Sequence, residues 1–425
     1  MDRPTWLPGT YAAAAADVAG RQVAENHYTE LKSTYERTDG GRREMAKDIA
    51  ALALDGGALI VGINEDEVGR AVEVSPVDLA GFAERLDQAA TYRCDPPVQV
   101  GIDLLPHPED PVKGVLVVQV PAHPLAPVMV DGRYYGRGER AVRQLGDAEV
   151  VRLHQNRAGQ ADHVERTLTA AVTDAQSGLM PNSGKEGRLV VVAEPAPIRR
   201  TDLMADVYGP NNWWRWYEVA DARAAQFVQI QDDRSPVLAE CLYAGGPFSP
   251  FSSYRGSEAD RQPRGVMVTI GANTSGGFDG YLQLDESGAL RLGVSKFIRW
   301  ERSTSVLDWH FAISASVYIV GMYQQVCEKS GIQSQLDMGI CMDELQGVVP
   351  SPPSDRHGRQ AWDLVSSYAN QSYRATTRLT VPEMTGDLTR AMERVWGPLL
   401  RPLGLGDRLR ARPGTLRQDV TAPAV

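Results

Sequence analysis

Cysteine is scarce in this sequence. The 4 cysteines include no Cys-x-x-Cys pair and stand at Cys94, Cys241, Cys327 and Cys341. A disulfide framework and a thiolate zinc site both need closely paired cysteines, so neither is indicated. We therefore expect a protein of a reducing compartment, the cytoplasm.

Long hydrophobic runs are also missing. The first ten residues contain Asp2 and two prolines, and they lack the basic start and apolar stretch of a signal peptide. The most apolar later segment, residues 311–323, is shorter than the ~20 residues that a membrane span needs. We expect neither export nor a membrane partner, and we interpret this segment as a buried helix.

Basic residues are in deficit, since the formal net charge is -10. Within residues 1–165, about 17 basic side chains face about 26 acidic ones, and lysine is scarce throughout. A protein that coats nucleic acid non-specifically needs a basic surface that releases counterions. Any contact with nucleic acid must therefore be local.

Several familiar catalytic patterns are absent. The histidines form no His-Glu-x-x-His pair, and no Gly-x-Ser-x-Gly element occurs, so a histidine zinc site and an acyl-transfer hydrolase are disfavoured. The stretch from Gly178 to Glu186 resembles a phosphate-binding loop. It has five residues between its glycines instead of four, and Glu186 stands where Ser or Thr would bind magnesium.

The length of 425 residues exceeds one ordinary hydrophobic core and predicts two domains. In the first, alternation predicts a strand at residues 28–33, and apolar spacing predicts a helix over residues 43–54. The uniformly apolar residues 58–63 indicate a strand covered on both faces. A helix over residues 147–156 closes this domain.

Between these elements the sequence predicts a second helix and a hairpin. The helix covers residues 75–90, with Ser75 as its N-cap and a proline at its first position. Residues 98–105 and 114–120 are predicted to form two strands joined by a proline-rich turn. Strand, helix, strand, helix and hairpin together predict an α+β domain.

A polar stretch rich in Gly, Pro and Ser, residues 173–188, marks a boundary. After it, a strand at 189–192, an antiparallel meander over 265–299, and helices over 306–329 and 385–400 predict a second α+β domain. The predicted division is an N-terminal extension (1–22), a first domain (23–160), a helix and linker (161–187), an unassigned α+β domain (188–405) and a disordered tail (406–425).

Two carboxylates and a lysine dominate the segment from Glu25 to Ser33. On a strand Glu30 and Lys32 share a face, whereas Glu25 can reach them only from a preceding loop or helix end. The acidic turn after the apolar strand, which includes Asp66, can add a third carboxylate. Carboxylates that meet beside a lysine are what a magnesium- or manganese-assisted phosphodiester cleavage needs. The alternative interpretation is that these acids are solvated or locally paired surface charges.

The order of these motifs resembles the Schlafen-type AlbA-like domain family. That family has a Glu-x-x-x-x-Glu-Phe-Lys element, a Gly-Gly, an apolar strand and a Gly-Val-Asp-Asp turn. The matching residues here are Glu25 through Lys32 with Leu31 for the Phe, Gly56-Gly57, and Gly62-Ile63-Asn64-Glu65. A later Tyr-Tyr and Arg-x-Gly element is similar to Tyr134-Tyr135-Gly136-Arg137-Gly138.

The resemblance implies an AlbA-like mixed-sheet fold over about a third of the chain and, in nuclease relatives, catalytic carboxylates. By match these are Glu25, Glu30 and one of Asn64, Glu65 or Asp66. We take Glu25, Glu30 and Asp66 as ligands of Mg²⁺ or Mn²⁺ and Lys32 as the group that stabilises the developing charge. Asn64 stands where the family usually has Asp.

The function that follows is a metal-dependent endoribonuclease acting on tRNA or other structured RNA, in a stress or phage-defence setting. The alternative is a non-catalytic module that binds RNA or DNA or regulates transcription. Relatives commonly assemble in pairs, so a homodimer is expected. A third possibility, that the second domain carries the chemistry, stays open because residues 188–400 contain no readable motif.

Arginines near the paired tyrosines provide a predicted phosphate patch, because guanidinium groups bind phosphate and phenol rings stack on bases. Its predicted members are Arg43, Lys47, Arg133, Tyr135, Arg137, Arg140 and Arg143. The aromatic run at residues 213–217 is either a stacking loop or part of the second core, and we favour the core.

Overall fold

The computed structural model describes residues 5–138, 141–180, 187–196, 204–205, 207, 212–243, 247–251, 257–262, 265–272, 278–295, 297–301, 304–331, 334–351, 365–406 and 408–410. The chain divides into two compact units. The first comprises Met1–His163, Glu194–Asp206 and Val326–Leu336, and the second comprises Val164–Ala193, Val207–Gln325 and Asp337–Val425.

The first unit is built around a mixed sheet. In chain order its elements begin with α1 (Tyr11–Ala19), β1 (Thr29–Lys32), α2 (Asp39–Leu52), β2 (Gly57–Val61), β3 (Ile63–Glu65), β4 (Ala71–Val74), β5 (Val77–Asp78) and α3 (Phe82–Tyr92). They continue with β6 (Cys94–Asp95), β7 (Gly101–Pro106), β8 (Lys113–Val120), β9 (Met129–Val130), β10 (Arg133–Arg137), β11 (Val142–Gln144) and α4 (Asp147–Ala161).

The main sheet has the order β1-β2-β8-β5, with β7 paired to β8. Strands β1 and β2 are parallel, and the other pairs are antiparallel. Alternate residues of β2 enter two cores. Leu59 and Val61 pack with the helices α2 and α3, whereas Ala58 and Ile60 pack with Leu31 and the end of α1. A second sheet, β11-β10-β9-β6, lies beside α2.

The predicted hairpin is confirmed, since β7 and β8 pair antiparallel from Gly101 opposite Gln119 to Pro106 opposite Gly114. The helix predicted over residues 43–54 is confirmed as α2. It starts earlier because the Thr38 hydroxyl accepts a hydrogen bond from the Gly41 N–H and caps it.

The helix predicted over residues 75–90 is wrong at its start. Residues 77 and 78 pair with β8 as β5, and the Ser75 N–H donates to the Gly62 carbonyl. The helix α3 begins only after Gly81, whose φ of 66° is left-handed. Strand pairing therefore outcompetes the capping signal at Ser75, because those backbone groups already have partners in the sheet.

The later elements are α5 (His163–Asp174), a π-helical segment (Ala175–Leu179), β12 (Arg188–Ala196), α6 (Asn212–Arg234), α7 (Pro236–Ala239), β13 (Ser257–Gln262), β14 (Gly265–Ala272), β15 (Phe278–Asp285) and β16 (Leu290–Ser295). They end with β17 (Ile298–Glu301), β18 (Thr304–Leu307), α8 (Trp309–Ser330), β19 (Gln335–Met342), β20 (Val349–Pro350), β21 (Tyr373–Leu379), α9 (Val381–Thr385) and α10 (Thr389–Leu400).

The second unit centres on a seven-stranded sheet of order β13-β14-β15-β16-β12-β19-β21. The predicted meander is confirmed over residues 265–295, since β14, β15 and β16 pair antiparallel in sequence, whereas residues 298 and 299 lie in β17 of the separate β17-β18-β20 sheet. Helix α8 begins at Trp309 and not near Val306, because Val306 lies in β18 opposite Val349. The α+β class holds for both parts of the chain.

The aromatic run behaves as predicted in part. Trp213 and Tyr217 are buried on α6, whereas Trp214 is half-buried and donates to Glu218. The stretch predicted as a boundary, residues 173–188, contains the end of α5 and the π-helical segment, and its residues 181–186 lie outside the described part. Most of the predicted tail, residues 407 and 411–425, also lies outside it. None of the described helices is long and apolar enough to cross a membrane.

Candidate functional site

Strand β1 places Glu30 and Lys32 on the face that α2 covers. Glu30 lies opposite Leu59 and Lys32 opposite Val61 in the parallel pairing with β2. Residues in register on neighbouring strands share a face, and the side chains of Leu59 and Val61 belong to the α2 core. The predicted common face of the carboxylate and the lysine is therefore present.

Glu30 forms a buried ion pair with Arg137 of β10. The two residues are only 3% and 7% exposed, and the Arg137 guanidinium and the Lys32 ammonium both contact the Glu30 carboxylate. Arg137 also donates to the backbone oxygens of Asn26 at 2.8 Å and Thr29 at 3.2 Å. Burial lowers the pKa of Arg137, and the charge of Glu25 opposes that shift. Glu30 and Arg137 thus hold β10 against β1.

Glu25 reaches the edge of β1 from the preceding segment. Its Oε1 accepts a hydrogen bond from the Leu31 N–H at 3.0 Å, and its own N–H donates to the Gly69 carbonyl at 2.7 Å. Glu25 is therefore held between β1 and the turn that joins β3 to β4. Glu25 therefore approaches β1 from the segment that precedes the strand, as the five-residue spacing from Glu30 predicts.

Glu65, the last residue of β3, lies beside Glu25. Its side chain is largely exposed, but the hydration it loses raises its pKa, and the charge of Glu25 and a hydrogen bond to the Glu25 carboxyl raise it further. The charge of Lys32 acts in the opposite direction. Two carboxyl groups in contact repel when both are ionised, so the pair favours a shared proton or a cation.

Asp66, the predicted third carboxylate, closes the β3–β4 turn. Its Oδ1 accepts the backbone N–H groups of Val68 at 3.0 Å and Arg70 at 2.9 Å. The bond from Arg70 is the largest cause that lowers the Asp66 pKa. Asn64 donates to Glu73 across the hairpin at 3.3 Å. Glu65, and not the predicted Asp66, therefore brings its carboxyl group to Glu25.

Asp48 of α2 is a buried carboxylate that the sequence analysis missed. The Tyr35 hydroxyl donates to it, and both residues are buried. Burial raises the Asp48 pKa to about 6, while the Lys32 charge and the Tyr35 hydrogen bond oppose the rise. A signal was available, since Asp48 lies on the apolar helical face of Met45 and Leu52.

The term carboxylate cluster denotes Glu25, Glu30, Asp48 and Glu65 around Lys32. Within the part of the chain that the structure describes, no group of three or more His, Cys, Asp or Glu side chains is arranged to hold a metal ion. The Glu25–Glu65 pair is the exposed portion of the cluster. Two carboxylates suffice for Mg²⁺ when water and substrate phosphate complete its shell.

Three of the predicted phosphate-binding arginines have carboxylate partners in the domain. Arg43 pairs with Asp131, and Arg143 makes two bonds to Glu149 at 2.8 and 2.7 Å. Arg137 is the buried partner of Glu30. These guanidinium groups are engaged within the protein, which weakens their case as phosphate ligands.

The other predicted members of the patch differ among themselves. The Lys47 ammonium lies over the Tyr135 ring, 5.6 Å from its centroid, so this pair is partly engaged as a cation–π contact. Arg133 is exposed at the start of β10. Arg140 lies outside the described residues.

His27 is a second residue that the sequence analysis did not assign to the site, and in its case no sequence signal pointed there. Its Nε2 lies 2.9 Å from Asp55 and its Nδ1 lies 3.2 Å from the Gly138 carbonyl. The hydrogen bond to Asp55 raises the His27 pKa most, and burial opposes it. The protonated ring satisfies both acceptors, so His27 ties the start of β1 to the end of β10.

Comparison with known proteins supports the assignment of this first part of the chain. Residues 25–146 match the family model described as Schlafen, AlbA_2. This domain family is associated with functions that involve nucleic acid. No curated protein matches the chain.

A solved structure, that of the DIP2311 protein from Corynebacterium diphtheriae, is similar at 16% sequence identity with a TM-score of 0.23. The similarity covers 65% of this chain and 50% of that one, so the chain spans about half the length of the protein it matches.

Proposed function

We propose, from the premise that residues 25–146 form a Schlafen-type AlbA_2 domain, that this domain is a metal-dependent endoribonuclease acting on structured RNA such as tRNA. The observation that carries the proposal is the contact between the Glu25 and Glu65 carboxyl groups beside Lys32. An acidic pair next to a fixed cation suits a reaction in which a phosphodiester gains negative charge.

The residues fit a hard divalent cation such as Mg²⁺ or Mn²⁺. Glu25 and Glu65 supply oxygen ligands, and their mutual repulsion is relieved when a cation lies between them. Glu30 is less available as a ligand, because Arg137 and Lys32 already neutralise it. Glu25 and Glu65 would therefore hold the cation, and Glu30 would position Lys32.

When bound, the cation would polarise the scissile phosphate and lower the pKa of the attacking water or 2′-hydroxyl. Lys32, held by Glu30, would stabilise the charge that develops on the phosphoryl oxygens. The Leu31 N–H fixes the orientation of Glu25. The buried Glu30–Arg137 pair would keep β1 in position while RNA binds.

The test is cleavage of end-labelled tRNA by the purified protein with Mn²⁺ or Mg²⁺, compared with the Glu25→Gln variant. Loss of a residue that only supports a metal ligand already costs about 10–100-fold in affinity or activity, so loss of the ligand itself should lower cleavage by about 100-fold or more. Glu84→Gln, an exposed change on α3, is the matched control. Equal cleavage by Glu25→Gln and the native protein, or no cleavage with any divalent ion, would contradict the proposal.

A non-catalytic module that binds nucleic acid is the second candidate. One observation favours it: the predicted ligand Glu30 is buried and neutralised by two cations. This candidate predicts RNA binding that persists when Glu25 and Glu65 are changed, with no cleavage by the native protein. Cleavage that depends on Glu25 excludes it.

A further inference from the structure

Three arginines that the proposed reaction does not use converge at the start of α2. Arg37 lies in the loop after β1, Arg42 in the first turn of α2, and Arg85 on α3. The Nη2 of Arg85 donates to the Glu36 carbonyl at 2.9 Å. A Cβ at Gly41 would come within 2.1 Å of that carbonyl oxygen, so the loop lies directly against the helix.

The charges of these arginines are unevenly compensated. Arg37 pairs with Asp78 at 2.5 Å. Among the residues that the structure describes, no carboxylate forms an ion pair with Arg42 or Arg85. After the effect of burial, the positive charges of Arg37 and Arg42 lower the pKa of Arg85. The guanidinium groups of Arg37 and Arg42 are therefore close enough to that of Arg85 to repel it.

Arg85 is held in place despite this repulsion. Its guanidinium carbon lies 5.0 Å from the centroid of the Phe82 ring, in a cation–π contact. The hydrogen bond from its Nη2 to the Glu36 carbonyl fixes the same guanidinium group a second time. A guanidinium group fixed in advance loses less entropy when it binds an anion. By contrast, Arg43 and Arg143 are satisfied by carboxylates of the domain itself.

Arg42 and Arg85 have no carboxylate ion-pair partner among the described residues, so an external anion would stabilise the three clustered charges. Arginine suits phosphate oxygens through its paired N–H donors. The segment from Lys32 to Arg37 connects this group of arginines to the carboxylate cluster. Arg37 follows Lys32 closely enough that their Cα atoms are at most about 18 Å apart. An extended phosphodiester strand can reach both places.

We infer that Arg37, Arg42 and Arg85 form a phosphate-binding patch that holds the backbone of an RNA strand whose neighbouring phosphate enters the Glu25–Glu65 site. The inference rests on the proposed function, and it assigns RNA contact to arginines other than the predicted Arg137 and Arg143. The patch contacts backbone and not bases, so it gives affinity without sequence preference.

The test measures RNA binding without cleavage. A short fluorescein-labelled single-stranded RNA is titrated in EDTA by fluorescence anisotropy at several NaCl concentrations. Each lost phosphate contact lowers the slope of log K against log salt by about 0.7 for a single strand. We expect a decrease of about 0.7 for Arg42→Gln and about 1.4 for the Arg42→Gln/Arg85→Gln double variant.

Arg215→Gln, an equal loss of charge at an exposed position of α6, should leave the slope unchanged. Arg42→Lys keeps the positive charge and should keep most of the native slope, so a loss of slope in Arg42→Gln is due to the lost charge. Circular dichroism checks that each variant is folded. The inference is overturned if Arg42→Gln shows the same salt slope as the native protein, or if RNA binding by the native protein does not depend on salt. EDTA prevents metal-dependent cleavage, so the binding assay tests the patch separately from the nuclease activity. If the RNA binds through the patch in EDTA but is not cleaved in Mn²⁺, only the nuclease proposal is contradicted.

Discussion

The carboxyl group of Glu65 lies close enough to that of Glu25 to have its pKa raised by the Glu25 charge, although the two residues lie in different segments of the first domain. Two structural contacts produce this approach. The Leu31 N–H holds the Glu25 side chain at the edge of β1, and the Glu25 N–H binds the carbonyl of Gly69 in the turn after β3. The pair is thus assembled by backbone groups, and the proposed reaction depends on it.

The first prediction separates the two acidic residues of that turn. Glu65→Gln should reduce Mn²⁺-dependent RNA cleavage by about 100-fold, because it removes a ligand. Asp66→Asn is the matched control, since an asparagine oxygen can still accept the N–H groups of Val68 and Arg70. Its cleavage rate should stay close to the native rate, because the turn keeps its geometry. The reverse ranking would place the ligand at Asp66.

The second prediction concerns metal binding without any substrate. A ligand that binds only the folded state stabilises it, by about 2.7 kcal/mol at a concentration of 100 times Kd. Mn²⁺ should therefore raise the Tm of the native protein, and Glu25→Gln should lose this increase. Glu84→Gln should retain it. Equal increases in all three proteins would show that Mn²⁺ binds elsewhere.

The third prediction concerns pH and the buried Asp48. Its pKa rises from 3.8 to about 6 on folding, so between these values the folded state holds a proton that the unfolded state has lost. Stability therefore falls as pH rises through this window, by roughly 3 kcal/mol, and the cost is fully present above pH 6. Asp48→Asn should remove this fall and be more stable than the native protein at pH 7.5.

Urea unfolding at pH 4, 5, 6 and 7.5 measures the effect. Tyr35→Phe should act in the opposite direction at pH 7.5, because it removes the hydrogen bond that favours the ionised carboxylate, at a cost of about 1 kcal/mol. An Asp48→Asn protein that is less stable than the native one at every pH would contradict the account.

The fourth prediction compares two arginines of one segment. Arg137→Ala should lower the free energy of unfolding by about 3–5 kcal/mol, because it leaves Glu30 buried with only Lys32 as a counterion. Arg143→Ala should have little effect, since its pair with Glu149 is at the surface. Thermal unfolding measures both. A small effect of Arg137→Ala would mean that water reaches Glu30 freely.

Patterning in the sequence was sufficient for much of the fold. Apolar periodicity predicted α2, the apolar run predicted β2, and alternation with prolines predicted the β7–β8 hairpin, because each depends on neighbouring residues. The start of α3 was not predictable from the same signals. Whether residues 77 and 78 form a helix or a strand depends on β8, which is distant in the sequence.

The site divides in the same way. The sequence by itself determined that Glu30 and Lys32 share a face, since that follows from the period of a strand. Only the tertiary structure decided that Arg137 neutralises Glu30, that Glu65 and not Asp66 meets Glu25, and that Arg42 and Arg85 lack carboxylate partners within the described residues. Charge pairing depends on distances between side chains brought together from separate elements, and local sequence does not contain those distances.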